Sequence, residues 1–410
     1  MTHNRRVPTT LLYHDDPLLL RFRARVLEHA SWDGRPSLIL DRTAFYPESG
    51  GQMADRGLLA GLALADVQVD DAGRVHHVLD AGLALPAVGD EVEGAIDRER
   101  RRLHMALHTA QHMLSRALVE EAGAETVSSR LGETACTIDV RADPARAPLD
   151  EPRLARAEDL VNAIVDDDVA IRAWFPTEDE LRALPLRRAP KVSEHVRVVA
   201  IGDFDVSPCG GTHCTHAAQV GLVRVTGLER YKGLVRVTFA AGRRARATLA
   251  DRDDVLRVLG RDFRCGPRDV PAAVERLQRE LAEARQSLGA ARSRLADAAA
   301  AELLARAPDE RRIVARFDEG DAAFLRAVAA RLTDGAARVA ILAAPIDDGQ
   351  LHVLAARGPG SAFDCGAFVK RLASTHAGRG GGRPETAEGR VPQSIDFAEA
   401  AAQAAPPTID

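Results

Sequence analysis

Apolar residues recur at three- and four-residue intervals in several segments of the chain, and this period predicts amphipathic helices. The clearest example runs from Arg98 to Gly123, and its repeating positions are Leu103, Leu107, Ala110, Leu114, Ala117 and Leu118. A second helix is predicted from Glu151 to Val165, with Leu154, Ala157, Leu160, Val161 and Ile164 facing inward. A third is predicted from Ala322 to Leu332.

Other segments alternate apolar and polar residues, and glycines interrupt them, which indicates strands and turns. Residues 11–95 show this pattern at 38–40 and 67–69, with breaks at Gly34, Gly61, Gly73, Gly82 and Gly89. They predict a compact β domain, a small barrel. Further strands are predicted at 134–140, 196–201, 222–226, 233–240, 339–342 and 351–355.

A long heptad pattern follows Arg268. Its seam consists of Val274, Leu277, Leu281, Ala284, Leu288, Ala291, Leu295 and Ala298, with charged residues elsewhere. This spacing predicts one long helix of the kind found in coiled coils. Two partners fit the seam: a second copy of the chain, which would make a homodimer through residues 271–300, or the apolar helix predicted at Asp251–Gly260 and its neighbours.

Together these patterns predict an α+β fold in four parts. Residues 1–95 would form the small β-barrel-like domain, and residues 96–250 an α/β core with a mostly antiparallel sheet. Residues 251–308 would form the helical, coiled-coil-like connector. Residues 309–410 would form a small C-terminal α/β domain.

Composition narrows the class of protein. The chain has 410 residues, of which 46% are hydrophobic, and a net charge of -5. The first ten residues are polar, and no stretch approaches the ~18 apolar residues of a membrane span, so we expect neither a signal peptide nor a membrane segment. Five cysteines without a disulfide-like spacing favour a reducing cytoplasm.

The negative net charge means that nucleic-acid binding would have to rest on local basic patches. One candidate is the segment 221–250, where seven basic residues outnumber Glu229. The alternative, a solvated strand edge protected by its charges, fits this segment equally well. The basic residues are Arg224, Arg230, Lys232, Arg236, Arg243, Arg244 and Arg246.

Two short motifs about a hundred residues apart offer metal ligands. His108 and His112 are four residues apart on the predicted helix, so both side chains would project from one face. Residues 209–213 read Cys-Gly-Gly-Thr-His, and the two glycines would let Cys209 and His213 point to one spot. Three imidazoles and one thiolate suit a tetrahedral Zn²⁺ ion.

These motifs resemble the editing domain of alanyl-tRNA synthetase and of its free-standing relatives, the AlaX proteins. Three further stretches carry the resemblance in the family's order. Residues 43–57 read TAFYPESGGQMADRG, residues 131–139 read LGETACTID, and residues 378–387 read GRGGGRPETA. The match therefore extends over nearly the whole chain, including a C-terminal domain like the DHHA1 domain of the synthetases.

The resemblance implies hydrolysis of the ester that joins a wrong amino acid, serine or also glycine, to alanine tRNA. It implies His108, His112, Cys209 and His213 as zinc ligands, although His104, Cys214 or His216 could replace one of them. Thr43 and Gln52 would contact the serine hydroxyl, which a correctly attached alanine lacks. Sequence leaves open whether serine or glycine is preferred, and whether the zinc is structural or activates water.

The glycine cluster at 378–382 reads from composition either as a flexible loop or as a phosphate cradle. The resemblance implies tRNA binding, with Gly380, Gly381 and Gly382 in the cradle and Arg379 and Arg383 on backbone phosphates. Because we find no aminoacylation domain before Thr43, we expect action in trans on mischarged alanine tRNA. The alternatives are a threonyl-type editing module, a non-catalytic zinc protein that binds tRNA, and a zinc hydrolase of small molecules.

Overall fold

The computed structural model describes residues 8–143, 145, 148–190, 192 and 194–405. The chain divides between Val258 and Leu259 into two compact units. Helices are combined with several antiparallel sheets, which agrees with the α+β prediction in its general form. The finer division into four parts stays a prediction.

The first unit begins with a sheet of seven strands in the order β6-β5-β9-β2-β3-β8-β7, beside a short parallel pair, β1-β4. Alternate residues of β2 face the core, and its register shifts between Val26 and Glu28, a bulge of the kind that bends a strand. The strands are β1 (Thr10–Leu11), β2 (Arg21–Trp32), β3 (Arg35–Leu40), β4 (Arg42–Thr43), β5 (Gly57–Leu59), β6 (Leu62–Ala63), β7 (Asp66–Val69), β8 (Val75–Val78) and β9 (Glu91–Ile96).

The predicted small barrel does not close. Strands β6 and β7 are the two edges of the sheet, and among the described residues they pair only with β5 and β8. Strand β6 has two residues, which leaves little backbone for a closing ladder. The sheet instead buries its inner face around Phe45, Leu38 and Leu59.

The rest of the first unit packs two helices against a four-stranded antiparallel sheet, β10-β11-β16-β15, with a second sheet, β12-β13-β14, nearby. Leu114 of the first helix, Val161 of the second and Phe239 of the sheet share one core. The elements are α1 (Arg98–Ala122), β10 (Glu125–Leu131), β11 (Cys136–Arg141), α2 (Glu151–Asp166), β12 (Ile171–Trp174), α3 (Glu178–Ala183), β13 (Val198–Ile201), β14 (Asp205–Pro208), β15 (Val223–Tyr231), β16 (Leu234–Ala241) and α4 (Gly242–Phe263).

Helix α1 is the central element of this unit. The Asp97 side chain caps its first turn by accepting from the Arg100 amide, and Gly123 ends it in the left-handed conformation. Every side chain from Met105 to Ser115 is buried, so the helix is covered on all sides and not on one amphipathic face alone. Its histidines therefore lie inside the protein.

The second unit has one five-stranded sheet, β17-β18-β19-β21-β20, in which only β17 and β18 run parallel. Leu325 of α6 lies in a core on one side of it, and Phe368 of α7 and Phe397 of α8 lie in a second core. The elements are α5 (Val270–Arg306), β17 (Arg312–Arg316), α6 (Ala322–Thr333), β18 (Val339–Ile346), β19 (Gln350–Arg357), α7 (Cys365–Thr375), β20 (Arg379–Gly382), β21 (Thr386–Pro392) and α8 (Phe397–Ala404).

The long helix predicted from the heptads is α5, with 37 residues. Its C-terminal part buries Ala296 and Ala300 in the core that contains α6. The leucines of the seam are about half exposed, at 52% for Leu277, 49% for Leu281, 51% for Leu288 and 59% for Leu295.

The glycine cluster forms strand β20 and not a flexible loop, which corrects one of the two interpretations of its composition. A Cβ atom on Gly380 would lie 2.6 Å from Cγ1 of Val369 and 2.7 Å from Cα of Gly389. The glycine is therefore needed for close packing of β20 against α7 and β21. Arg379 and Arg383 are both exposed.

Candidate metal centre

The structure brings the four predicted ligands together. Helix α1 presents His108 and His112 one turn apart, and the loop after β14 presents Cys209 and His213. One ligand atom from each residue lies within 4.8 Å of the others. Of the described residues, these four make up the metal-ligand cluster.

Two distances within the cluster have the length expected in a tetrahedral site. The Sγ atom of Cys209 lies 3.4 Å from Nε2 of His108 and 3.3 Å from Nε2 of His213. In a tetrahedral zinc site with Zn–S and Zn–N bonds of ordinary length, neighbouring ligand atoms are about 3.3–3.7 Å apart. These two pairs therefore already have the spacing of a zinc site.

Each histidine of the cluster has a polar neighbour at Nδ1. Nδ1 of His108 lies 2.6 Å from Oε1 of Gln52, and Nδ1 of His213 lies 3.2 Å from Oγ1 of Thr109. Nδ1 of His112 lies 3.4 Å from Oδ2 of Asp205. The Gln52 amide oxygen accepts from Nδ1 of His108 and so leaves Nε2 of that ring for a metal, whereas Nδ1 of His112 has a charge contact with Asp205 and no hydrogen bond among the described residues.

Asp205 is itself held in place. It is 2% exposed, and it accepts hydrogen bonds from Nε of Arg187 at 2.6 Å and from Oγ of Ser207 at 3.0 Å. Burial raises the pKa of this carboxyl group, but His112 and Arg187 outweigh it and bring the pKa down to about 2. The carboxylate is thus charged and correctly placed beside His112.

An ion pair ties the loop that carries Gln52 to helix α1. Arg101 is fully buried, and its Nε donates to both carboxylate oxygens of Asp55 at 3.1 Å. Its Nη1 donates to the carbonyl of Pro17 at 2.8 Å. Arg101 lies two turns before His108, so the same helix fixes both the histidine and the loop that orients it.

Position 211 must be a glycine because the loop passes very close to the His108 ring. A Cβ atom on Gly211 would lie 2.2 Å from Cε1 of His108 and 3.0 Å from Oε1 of Gln52. Only glycine lets the loop pass this close to the imidazole ring.

Ionisation of the cluster favours metal binding. Burial opposes ionisation of the Cys209 thiol, but the surrounding imidazoles hold its pKa well below the usual range. Burial lowers the pKa of His213 to about 3. A thiolate and a neutral imidazole are the forms that bind zinc, whereas Cys209 and Asp205 outweigh burial and raise the pKa of His112, so the ion would displace a proton from that ring.

The ring of His112 tests whether the cluster fits a metal. Both of its nitrogens are inaccessible, and among the described residues neither has a hydrogen-bond partner. Buried polar groups are nearly always paired, and a metal ion among the four ligand atoms would satisfy one of these two. The residues therefore fit a zinc ion.

A cavity of about 710 Å³ opens beside the cluster and is lined by His108 and Cys209. Its walls combine aromatic and small polar residues: Tyr13, Tyr46, Phe175, His14, Ser49, Gln111, Ser128 and Ser129. Two arginines, Arg188 and Arg197, also line it. In the described part of the chain, no aspartate or glutamate does.

The two residues predicted to contact the substrate, Thr43 and Gln52, are not among the residues that line this cavity. Thr43 is fully buried, and its hydroxyl lies 2.8 Å from Nε2 of His77 and accepts from the Phe45 amide at 3.1 Å. Gln52 is also fully buried; besides meeting His108, its Nε2 donates to Oγ1 of Thr212 at 2.8 Å. Their contact with a serine hydroxyl stays a prediction.

The alternative ligands do not join the cluster described above. His104 lies one turn before His108 and lines another cavity with Arg100 and Arg244. Cys214 is buried, and burial raises the pKa of its thiol to about 12. His216 is exposed and lies 3.5 Å from the hydroxyl of Thr215.

Several of the basic residues between 221 and 250 have acidic or carbonyl partners. Arg224 pairs with Glu158, Arg236 with Asp139 at 2.7 Å, and Arg243 with Glu99 at 3.1 Å. Arg244 donates to the carbonyls of Gly132 and Glu133. This part of the segment therefore has structural roles.

Sequence reasoning missed Asp205, Arg197, His14 and Phe175, which surround the cluster or its cavity. One signal was available for Arg197, a charged residue inside the apolar run at 196–199. Asp205 gave no signal, because its partner His112 is 93 residues away and only the fold brings them together. Among the described residues, no helix has the length and apolar character needed to cross a membrane.

The fold and the cluster define a protein with a buried histidine–cysteine cluster that could hold a metal ion, and comparison with known proteins specifies its family. Residues 196–238 match the family model described as the threonyl and alanyl tRNA synthetase second additional domain. Residues 19–100 match the model for class II (A) tRNA synthetases, and residues 309–405 match the DHHA1 domain. The chain belongs to the family of alanyl-tRNA synthetase editing domains and alanyl-tRNA editing proteins.

Among its relatives, the alanyl-tRNA editing protein AlaX-L of Pyrococcus horikoshii is 32% identical over 278 residues, 66% of each chain. The alanine–tRNA ligase of Archaeoglobus fulgidus is 32% identical over 404 residues, which are 95% of this chain and 43% of the ligase. The chain thus spans less than half the length of that ligase. The crystal structure of the C-Ala domain of Aquifex aeolicus alanyl-tRNA synthetase matches 22% of this chain and 85% of that domain, with 20% identity and a TM-score of 0.21.

Proposed function

We propose that the chain is a deacylase that acts in trans on mischarged alanine tRNA. It would hydrolyse Ser-tRNA(Ala), and also Gly-tRNA(Ala), while sparing Ala-tRNA(Ala). The observation that carries the proposal is the cluster of His108, His112, Cys209 and His213 beside a cavity with no acidic lining residue among those described. The similarity to AlaX-L supports editing of alanyl-tRNA.

Zinc is the proposed metal, held by the four clustered residues. A bound zinc ion would act as a Lewis acid that polarises oxygen atoms of the substrate. Gln52, Thr109 and Asp205 orient the three histidines. That Lewis-acid role would require one of the four ligands to leave. With all four bound the tetrahedron is closed, and we propose that the zinc then positions the pocket around the substrate.

The cavity suits the aminoacylated 3′ end of a tRNA. Its volume of about 710 Å³ is within the range of pockets for nucleotide-sized ligands. Phe175 is 49% exposed at the cavity wall, and its ring lies 5.6 Å from that of His14. Unpaired bases stack on such rings, so we propose that Phe175 contacts the terminal adenine.

A hydrolytic site separate from the aminoacylation site of a synthetase has a physical reason. A synthetase pocket for alanine discriminates poorly against serine or glycine, because a small steric difference supplies only ~1–3 kcal/mol. A site that expects the serine hydroxyl rejects alanine much more strongly, because its buried polar groups would remain unpaired. Glycine lacks that hydroxyl as well, so this argument supports serine as the preferred substrate.

Thr43 and Gln52 are the residues that we propose for serine recognition. Both hold other partners, so direct contact requires a side-chain movement on binding. Thr43→Val keeps the shape of the side chain and removes the hydroxyl. We expect this variant to retain its metal and to lose preference for serine over alanine; unchanged preference would remove Thr43 from the proposal.

For the C-terminal domain we propose tRNA binding through Arg379, Arg383 and the backbone of Gly380, Gly381 and Gly382. Strand β20 is an edge of its sheet, and both arginines are exposed beside it. Contacts with phosphates depend on salt, so the double variant R379A/R383A should bind tRNA more weakly and with a slope against log salt shallower by about 2.

The decisive experiment compares hydrolysis of Ser-, Gly- and Ala-tRNA(Ala) by the purified protein. Cys209→Ala should lower zinc content and deacylation together, whereas Cys265→Ala, outside the cluster, should change neither. A protein that binds zinc and tRNA but leaves every ester intact would be the non-catalytic alternative.

We further propose a homodimer through residues 271–300. Leu277, Leu281, Leu288 and Leu295 remain about half exposed along α5. Heptad leucines of this kind pair well with a second copy of the same seam.

A further inference from the structure

Arg197 is a buried guanidinium beside the candidate metal centre. It is 5% exposed, directly before strand β13, and it lines the cavity. Among the described residues, no carboxylate lies within ion-pairing distance of its guanidinium. Its Nε is inaccessible, and the part of the chain that the structure describes offers it no hydrogen-bond partner.

One nitrogen of Arg197 holds the ligand loop. Nη1 donates to the carbonyl of Cys209 at 3.1 Å and to the carbonyl of Gly211 at 2.9 Å. Nε2 of His14 lies 3.2 Å from the carbonyl oxygen of Gly210, the residue between them. The guanidinium is thus fixed next to the loop that presents Cys209 and His213.

The Cys209 thiolate is the neighbouring anion that acts most on Arg197, but in a metal centre its charge would be shared with the ion, so a guanidinium without a paired carboxylate still requires an explanation. Removing a cation from water costs several kcal/mol, and neutral carbonyls repay only part of this. The cavity as a whole has an excess of basic side chains, because its described lining contains two arginines and three histidines but no aspartate or glutamate. Such a site suits a ligand that supplies the negative charge.

We propose that Arg197 is a substrate-binding residue of this cavity and binds an anionic oxygen at the aminoacylated 3′ end of tRNA. This inference rests on the proposed deacylase function and deepens it. Nη2, for which the described residues provide no hydrogen-bond partner, is the nitrogen that makes the contact. Arginine suits the role because its guanidinium is always charged and presents several fixed donors.

Two oxygens of such a substrate carry the required charge. One belongs to the last phosphodiester of the tRNA. The other forms during hydrolysis: water adds to the ester carbonyl carbon, and the carbonyl π electrons move to its oxygen. The oxyanion then reforms the carbonyl, the bond to the ribose oxygen breaks, and that oxygen takes the proton that the water lost.

The test compares Arg197→Gln with Arg197→Lys in the full chain loaded with zinc. Glutamine keeps an N–H donor for the loop but removes the charge, whereas lysine keeps the charge. Zinc affinity is measured first, by competition with a chromogenic chelator. We expect it to be retained in both variants, because Arg197 is not a ligand.

Substrate binding is then measured with a minihelix that carries serine through a non-hydrolysable amide at its 3′ end. A second minihelix has a neutral methylphosphonate at the last linkage. If Arg197 binds the phosphodiester, R197Q weakens binding about 10- to 100-fold, and the methylphosphonate causes no further loss. If it stabilises the oxyanion, R197Q binds normally and kcat for the ester falls about 100-fold.

Either result supports the proposal. R197K should recover part of the binding affinity or of the kcat that R197Q loses. The proposal is overturned if R197Q binds and hydrolyses like wild type and like the exposed control Arg21→Gln. It is also overturned if R197Q loses zinc and added zinc restores full activity, since Arg197 would then act only through the loop. A wild-type protein that binds the amide but hydrolyses no ester would contradict the proposed function and leave the binding comparison intact.

Discussion

Nδ1 of His108 lies 2.6 Å from Oε1 of Gln52, so a side chain from the N-terminal sheet region orients a candidate metal ligand on α1. The amide oxygen can only accept, which places the proton of His108 on Nδ1 and leaves Nε2 for the metal. Thr212 fixes the amide by accepting from its nitrogen at 2.8 Å. Two distant segments thus meet at one imidazole ring.

Gln52→Leu should weaken zinc binding although Gln52 is not a ligand. Loss of a partner that orients a ligating histidine typically lowers metal affinity ~10–100-fold. Competition titration with a chelator would show this, with Gln68→Leu on β7 as the control. Wild-type affinity in Gln52→Leu would mean that packing alone orients His108.

Gly211→Ala should damage the metal site much more than Gly210→Ala. The added methyl group at 211 would lie 2.2 Å from Cε1 of His108, whereas at 210 nothing lies within 4 Å. Overpacking of this kind costs about 1–3 kcal/mol, and here it would displace a ligand. The midpoint temperature of thermal unfolding and the zinc content should both fall for Gly211→Ala. Equal values for the two variants would contradict the close approach of Gly211 to His108.

Each half of the cluster could be predicted from the sequence because its geometry is local, and the family resemblance joined the two halves; that the four residues bind a metal stays a prediction. His108 and His112 are one helical turn apart, and Cys209 and His213 lie on one loop. The partners that orient the ligands could not be predicted, since Gln52 and Asp205 meet their histidines only after the sheets and α1 have packed. The barrel prediction was wrong for a similar reason: strand alternation shows which face is buried but not whether the edge strands pair.

Asp55→Ala should destabilise the first unit strongly. Arg101 and Asp55 are both about 1% exposed at their side chains, so the substitution would leave a buried guanidinium without its counter-ion. Breaking a buried pair in this way costs ~3–5 kcal/mol. Urea unfolding measures the loss. Glu93→Ala, which breaks the exposed pair with Arg21, should change stability by less than ~1 kcal/mol.

Acid should destabilise the protein in part through His77. This residue is fully buried, and burial lowers its pKa to about 4, compared with about 6.5 in the unfolded chain. Between these values the unfolded state binds more protons, so the free energy of unfolding decreases as pH falls from 6.5 to 4, by up to about 3 kcal/mol. Above pH 6.5 this contribution is complete and constant.

Unfolding of zinc-free protein at pH 7, 6, 5 and 4 tests this prediction. His77→Gln cannot take up the proton, so its stability should depend less steeply on pH in this window, even if it is lower at pH 7. The exposed His216→Gln is the matched control and should keep the wild-type slope. Parallel curves for wild type and His77→Gln would show that other groups cause the acid sensitivity.

The final prediction concerns the seam of α5. If a second copy covers it, the double variant L281E/L288E should be monomeric, because two like charges would face each other at each layer of the pair. Sedimentation at several protein concentrations would then give the mass of one chain, compared with two for wild type. Arg279→Glu changes charge on the same helix but off the seam, and it should stay dimeric. A monomeric wild type would leave the leucines exposed in solution and remove the dimer from the proposed function.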